Sequence, residues 1–241
     1  VTASPFRIFS GSSVTIALKE IPMNKLPGAL ALLALATLCG GQTINFDSAA
    51  VGSVPPGWTV AMTHAGGAPQ WEVLKDDTAP SKPNVLAQTS TDRSGGRFPL
   101  AIYEKAKFAD GALTVKFKPV SGSVDRAAGL VWRYRDPDNY YLVRANALEN
   151  NVVLYKVVNG KRISLAPKGT PPNTYGVKHP VPSGVWSTLG VCFQGNLFTV
   201  SFNGQKLFEV EDSTFTEAGK VGLWTKADSV TYFDDFHVVR K

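Results

Sequence analysis

Three dipeptides, Asn159-Gly160, Gly195-Asn196 and Asn203-Gly204, each stand between short runs in which apolar and polar residues alternate. Such pairs tolerate the positive φ that a two-residue hairpin needs, so each run must fold back on its neighbour. From Gln42 onward the period is two almost throughout, broken by Gly, Pro, Asn and Asp, and helical periodicity is nearly absent. The pattern predicts strands over Leu100–Glu104, Ala112–Lys118, Gly129–Arg135, Tyr140–Ala145, Val152–Val158 and Lys161–Ala166, and again over Val185–Gln194, Leu197–Phe202, Gln205–Val210, Gly219–Trp224 and Val230–Val239. So many short strands in one domain length imply an all-β fold of two packed antiparallel sheets. A jelly-roll sandwich hides most of the edges that such a chain would otherwise expose.

The amino-terminal stretch reads differently. Met23-Asn24-Lys25 is followed by the apolar run Leu26 to Leu38 and then by small residues up to Gly41, the pattern of a signal peptide over 23–41 cleaved before Gln42. The apolar run is too short to span a bilayer comfortably, so a secreted or periplasmic product without a membrane span is expected. Lipoprotein anchoring through Cys39 is the lesser reading, because Leu38 stands where a small residue is wanted. Residues 1–22 form an upstream extension outside the fold, which leaves one domain over 42–241. Setting aside residues 1–41, with Arg7, Lys19 and Lys25 against Glu20, lowers the formal charge from +6 to +4. No Lys/Arg run occurs, which excludes a nucleic-acid binder. Cys192 is then the only cysteine, so no internal disulfide forms, and it reads as a small core hydrophobe.

Two segments are loops by composition, Thr78–Pro83 and the proline-rich Pro167–Ser183. The second is long for a compact domain and is a candidate wall of a binding site, with His179 its one group of catalytic type.

The segment Ala128–Arg144 places rings and arginines around an Asp-Pro-Asp-Asn corner. Alternation sends Leu130, Trp132 and Tyr134 to the core, and Tyr141, Val143 and Ala145 on the return strand. Arg133 and Arg144 are then expected outward, since burying unpaired guanidiniums is costly. The outward row Arg133, Tyr140 and Arg144, extended by Lys156, offers fork-shaped donors beside an aromatic plate, which suits hydroxyl-rich or carboxylate-bearing sugars. Trp224 with Lys226 is a further candidate pair for the same ligand.

The strings GLVWRYRDPDNYYLVR, VWSTLGVCFQGNLFTVSFNGQKLFEV and GKVGLWTKADSVTYFDDF, taken together, resemble the concanavalin A-like lectin/glucanase superfamily. Within it the chain is similar to bacterial laminin-G-like domains and to 3-keto-disaccharide hydrolase (DUF1080) domains. The resemblance covers Thr43 to Val239 and implies a jelly roll with a carbohydrate partner held on the concave sheet. It departs from the hydrolase pattern in the segment Gly219 to Lys226 and in Phe233-Asp234-Asp235, where the Gln, His and Arg expected of that family are replaced. A saccharide-binding domain is therefore the leading expectation. A glycoside hydrolase acting on a glycosidic or 3-keto-glycosidic bond is the second, with Glu104, Glu149 or Glu209 as candidate acids; such an acid must lie beside the arginines with its pKa raised by burial. A laminin-G-like domain with a protein partner is the third. No cofactor is expected beyond the structural calcium that related jelly rolls bind, for which Asp47 with Asp234 or Asp235 are the candidate ligands.

Overall fold

The computed structural model describes residues 41–241; the expected extension 1–22, and the expected signal peptide except for Gly41, lie outside them. The described chain is a two-sheet antiparallel jelly-roll sandwich. Across the first sheet run β14 (Gln205–Glu211), β13 (Leu197–Phe202), β12 (Ser187–Gln194), β6 (Gly111–Ser121), β16 (Val230–Arg240), β4 (Asn84–Gln88) and β3 (Trp71–Lys75). The strand β1 (Gly41–Ile44) pairs with the far half of β16. Across the second run β10 (Lys161–Leu165), β9 (Asn151–Val158), β8 (Asn139–Asn146), β7 (Ala127–Asp136), β15 (Gly219–Trp224), β5 (Phe98–Phe108) and β2 (Trp58–Thr63). A short β11 (Val177–Lys178) adds to β9; it lies inside the stretch expected to be loop, where period two is too brief to show.

The hairpin signals act as the sequence predicts. Asn159-Gly160 and Asn203-Gly204 have positive φ at both residues, the requirement of a type I′ turn, and join Val158 to Lys161 and Phe202 to Gln205. Gly195 alone is positive in its turn, the type II′ pattern.

Between the sheets lies the main core, built from alternate residues of both. Trp132 stacks near Tyr141 and Phe193 at centroid distances of 5.5 and 5.8 Å, and Tyr141 meets Phe198 at 4.8 Å. The other face of the second sheet carries a cluster of its own. Phe98, Leu100, Ile102, Val131, Tyr134, Tyr140, Leu142, Val153, Tyr155, Val157 and Trp224 are all buried there, so the sheet is apolar on both sides. Burial of one such side chain contributes about 1.5–3 kcal/mol.

Alternation fails at one point in β7. Trp132 opposes Tyr141 and Asp136 opposes Asn139, so Arg133, Tyr134 and Arg135 share a bulge opposite Tyr140 alone. Arg133 takes a φ of 47° there. Its backbone presses on Gly219 of β15, where an added Cβ would come within 2.3 Å of the Arg133 carbonyl carbon. No residue larger than glycine fits beneath the bulge without moving it.

Candidate functional site

The bulge corrects the expected row. Arg133 is 1% exposed and turns towards the inter-sheet side, where its nitrogens donate to the carbonyls of Ala109, Phe215 and Gly195 at 2.6–2.9 Å while the guanidinium sits over Phe198. Those carbonyls, with Asp110 at 3.3 Å, meet the cost that was expected to keep it outside. Tyr134, expected in the main core, is carried instead to the outer face, 6.0 Å from Tyr140. Lys156 also leaves the row. It opposes Tyr141 on the inward side and pairs with Asp212 at 2.7 Å, the carboxylate that also accepts the Tyr141 hydroxyl at 2.5 Å. His179 packs edge-on against Phe202 of the first sheet at 4.5 Å, away from the remaining members.

Tyr140, Arg144 and Trp224 do share the outer face of the second sheet, as alternation requires, but each is 0% exposed. Flanking segments close over them. The Tyr140 hydroxyl is 2.8 Å from Thr63 Oγ1, and burial pushes its pKa up. Arg144 lies over the rings of Tyr155 and Tyr175, whose hydroxyls meet at 2.5 Å.

At one end of this face the β8–β9 hairpin gathers polar groups into a network. Arg144 Nη2 donates to Glu149 Oε2 at 2.7 Å and to Asn151 Oδ1 at 2.9 Å, while Nη1 reaches Glu149 Oε1 at 3.3 Å. Glu149 also accepts from the amides of Asn146 and Asn151 at 3.1 and 2.9 Å. Asn146 links on to Asp125, which pairs with Lys226 at 2.8 Å. The result is a forked carboxylate–guanidinium pair whose cation is sealed and whose anion is open, the Glu149 side chain being 40% exposed. Burial raises the Glu149 pKa, but the Arg144 and Asn151 hydrogen bonds and the nearby Lys226 outweigh it and hold the carboxyl below its ordinary value. Glu149 is therefore beside an arginine yet charged at neutral pH, which suits an acceptor or a base and not a general acid.

The other two candidate acids lie elsewhere. Glu104 is exposed on β5, held by Lys220 at 2.5 Å and Thr59 at 2.6 Å. Glu209 stands on β14 of the first sheet, paired with Lys206 at 2.6 Å. Both are lowered in pKa, first by the lysine hydrogen bond. The aspartates considered for calcium each have a separate partner. Asp47 accepts the Asn84 amide, Asp234 accepts Ser81 through backbone and hydroxyl, and Asp235 pairs with Lys116. Among the described residues no group of three or more His, Cys, Asp or Glu is placed to hold a metal.

Sequence reasoning missed Asn146, Asn151, Asp125, Tyr155, Tyr175 and Arg162 as members of this face. The cross-strand register could have revealed Tyr155 and Asn151, because they oppose Leu142 and Asn146. Arg162 extends from β10 over three rings, with its guanidinium carbon 4.6 Å from the centroid of Tyr155, 4.9 Å from Phe98 and 5.8 Å from Trp224.

Residues 48–239 match the family model described as a 3-keto-alpha-glucoside-1,2-lyase-like domain. Among solved structures, the carbohydrate-binding module CBM66 from Bacillus subtilis superposes with a TM-score of 0.55 at 20% identity, covering 75% of this chain and 93% of that one. Cellulose induced protein, Cip1, gives a TM-score of 0.58 at 13% identity over 83% of this chain and 97% of that one. At these identities the likeness is one of fold, the concanavalin A-like jelly roll. A search of curated proteins found no match.

Proposed function

This chain belongs to the family of 3-keto-alpha-glucoside-1,2-lyase-like domains, and on that premise we propose that it binds a saccharide on the outer face of its second sheet, against Glu149, Tyr175 and Lys226. The observation that carries the proposal is the Arg144–Glu149 pair. A fully buried guanidinium, fixed by Asn151 and by two rings, holds an open carboxylate in one orientation. The carboxylate oxygens already take four protein donors, and their exposed edge, oriented in advance by them, meets a sugar hydroxyl with little further ordering. Tyr175, 47% exposed beside it, offers a ring face for the C–H side of a pyranose. The carbohydrate-binding neighbour of the same fold agrees with this reading.

The test is a glycan array followed by calorimetry on the glycans retained. Glu149→Gln, which leaves Arg144 the amide oxygen and Asn151 as acceptors, should abolish binding in protein whose folding is verified by circular dichroism, and Tyr175→Ala should weaken it by about tenfold, the share of one stacked ring. Retention of full affinity in both variants would sink the assignment.

A lyase reading is favoured by one further observation, the hydrogen bonds from Arg144, Asn146 and Asn151 that favour the ionised form of Glu149. In a 3-keto-glucoside the C2–H bond lies next to the carbonyl and is acidified by it. A carboxylate at C2 takes that proton, the C–H electrons form a C1–C2 double bond, and the C1–O bond breaks with its electron pair going to the departing alkoxide. Water or the Lys226 ammonium then supplies the proton that the alkoxide needs. Release of the aglycone from a 3-keto-glucoside, lost in Glu149→Gln, supports this chemistry; binding without release leaves a recognition module.

A further inference from the structure

Arg162 differs from the other buried or half-buried cations of the molecule. Arg144 is matched by Glu149, Lys226 by Asp125, Lys156 by Asp212 and Lys118 by Asp76. Arg97 donates to the carbonyls of Gly67, Ala68 and Ala227, and Arg133 to three carbonyls and Asp110. The half-buried Arg162 guanidinium has no hydrogen bond and no ion pair with any described residue, and its Nη1 is out of solvent without a partner. What holds it is the ring faces of Tyr155, Phe98 and Trp224. Such contacts satisfy the cation through its flat face and leave the in-plane N–H donors free.

The surrounding charges point the same way. Arg144 and Lys226 on this face are met by Glu149 and Asp125, and Asp136 and Asp138 stand near its Tyr134 end, but none of these carboxylates is paired with Arg162. Arg162 is therefore a cation with no counter-charge in contact, where part of the screening water is gone. A neutral sugar leaves it so. A planar anion meets it with the geometry a guanidinium fork accepts best.

We propose that the saccharide taken by this face carries an anionic substituent, and that Arg162, held on its platform of three rings, is the residue that receives it. The inference rests on the placement of the saccharide site given above and adds the chemical class of its ligand. The shared chemistry is a compact oxyanion, whether the carboxylate of a uronic acid, a sulfate ester or a phosphate ester.

The experiment is an array holding neutral, uronic-acid, sulfated and phosphorylated glycans, read with the native protein, Arg162→Gln and Arg162→Lys. Each uronic-acid glycan is paired with its methyl ester, which keeps the shape and removes the charge. The native protein should prefer the acid over the ester by about tenfold or more, a difference that shrinks as sodium chloride is raised. Arg162→Gln should erase that preference and Arg162→Lys should keep part of it, since the charge remains and the fork is lost. The arm that responds identifies the anion. Binding confined to neutral glycans, or a preference unaltered in Arg162→Gln, overturns the anionic class and leaves the saccharide site standing. Failure to retain any glycan overturns both.

Discussion

On the outer face of the first sheet Lys116 pairs with Asp235 and Lys118 with Asp76, whereas the outer face of the second is sealed over Tyr140, Tyr155 and Trp224. The strands of both sheets give their inward residues to the same core, so inward alternation does not distinguish them. The outward positions do. On β6 they are Thr114, Lys116 and Lys118, polar residues whose two lysines meet single carboxylates, and on β8 they are Tyr140, Leu142 and Arg144, which are sealed from water. An antiparallel sheet that is apolar on both faces needs something over its outside. Here the cover is made by Arg162, Tyr175 and the polar network of the β8–β9 hairpin.

The largest effect that would break this contrast comes from Trp224. If the second outer layer is a true core, Trp224→Ala should cost about 3–5 kcal/mol in denaturant unfolding. A loss under about 1 kcal/mol would show that the layer is a covered surface and no more. Next comes Arg144→Ala, expected to cost about 2–3 kcal/mol because it removes a fully buried side chain together with its hydrogen bonds to Glu149 and Asn151. The same substitution should let the Glu149 pKa rise towards the ordinary carboxylate range, measurable by carbon-detected NMR titration.

Asp228 sharpens the comparison through pH. Burial raises its pKa, but the backbone amides of Ser123, Asp125 and Val124, with the Ser123 hydroxyl, bring it down to about 2 and thereby fix the loop that presents Asp125 to Lys226. A folded-state pKa below the unfolded one stabilises the fold above about pH 4, and the contribution disappears as pH falls through about 2. The difference amounts to about 2 kcal/mol. Asp228→Asn should flatten the stability profile in that acid window, and an unchanged slope would remove Asp228 from the account. The smallest effect belongs to the first sheet: Lys116→Ala should change stability by about 0.5 kcal/mol or less, less still in high salt.

The sandwich was legible because turn chemistry is local. Asn159-Gly160 and Asn203-Gly204 declare their hairpins without help from distant residues, and the strands on either side then follow from period two. Tyr140, Arg144 and Trp224 could be put on one face by the same counting. Arg133 could not, because a bulge is set by what the neighbouring strand allows, here the absence of a side chain at Gly219. The burial of Arg144 was hidden for a related reason. Its counterions and amides arrive from the turn that follows, and residue type alone argues that a guanidinium belongs in water. Arg162 escaped notice because its three rings come from β5, β9 and β15, which only the folded sheet brings side by side.

The bulge in β7 also governs how this chain can change over time. Residues before Arg133 and residues after it are assigned to faces in different phases, so losing a residue of β7 on either side of the bulge, and not the extra one within it, would exchange the faces of the residues it shifts while every amino acid kept its identity. Substitution along β7 alters one side chain, but a change in its length rewrites which of them are inside. Among descendants of this sequence, strand length at β7 should therefore be held more tightly than the identity of the residues it carries.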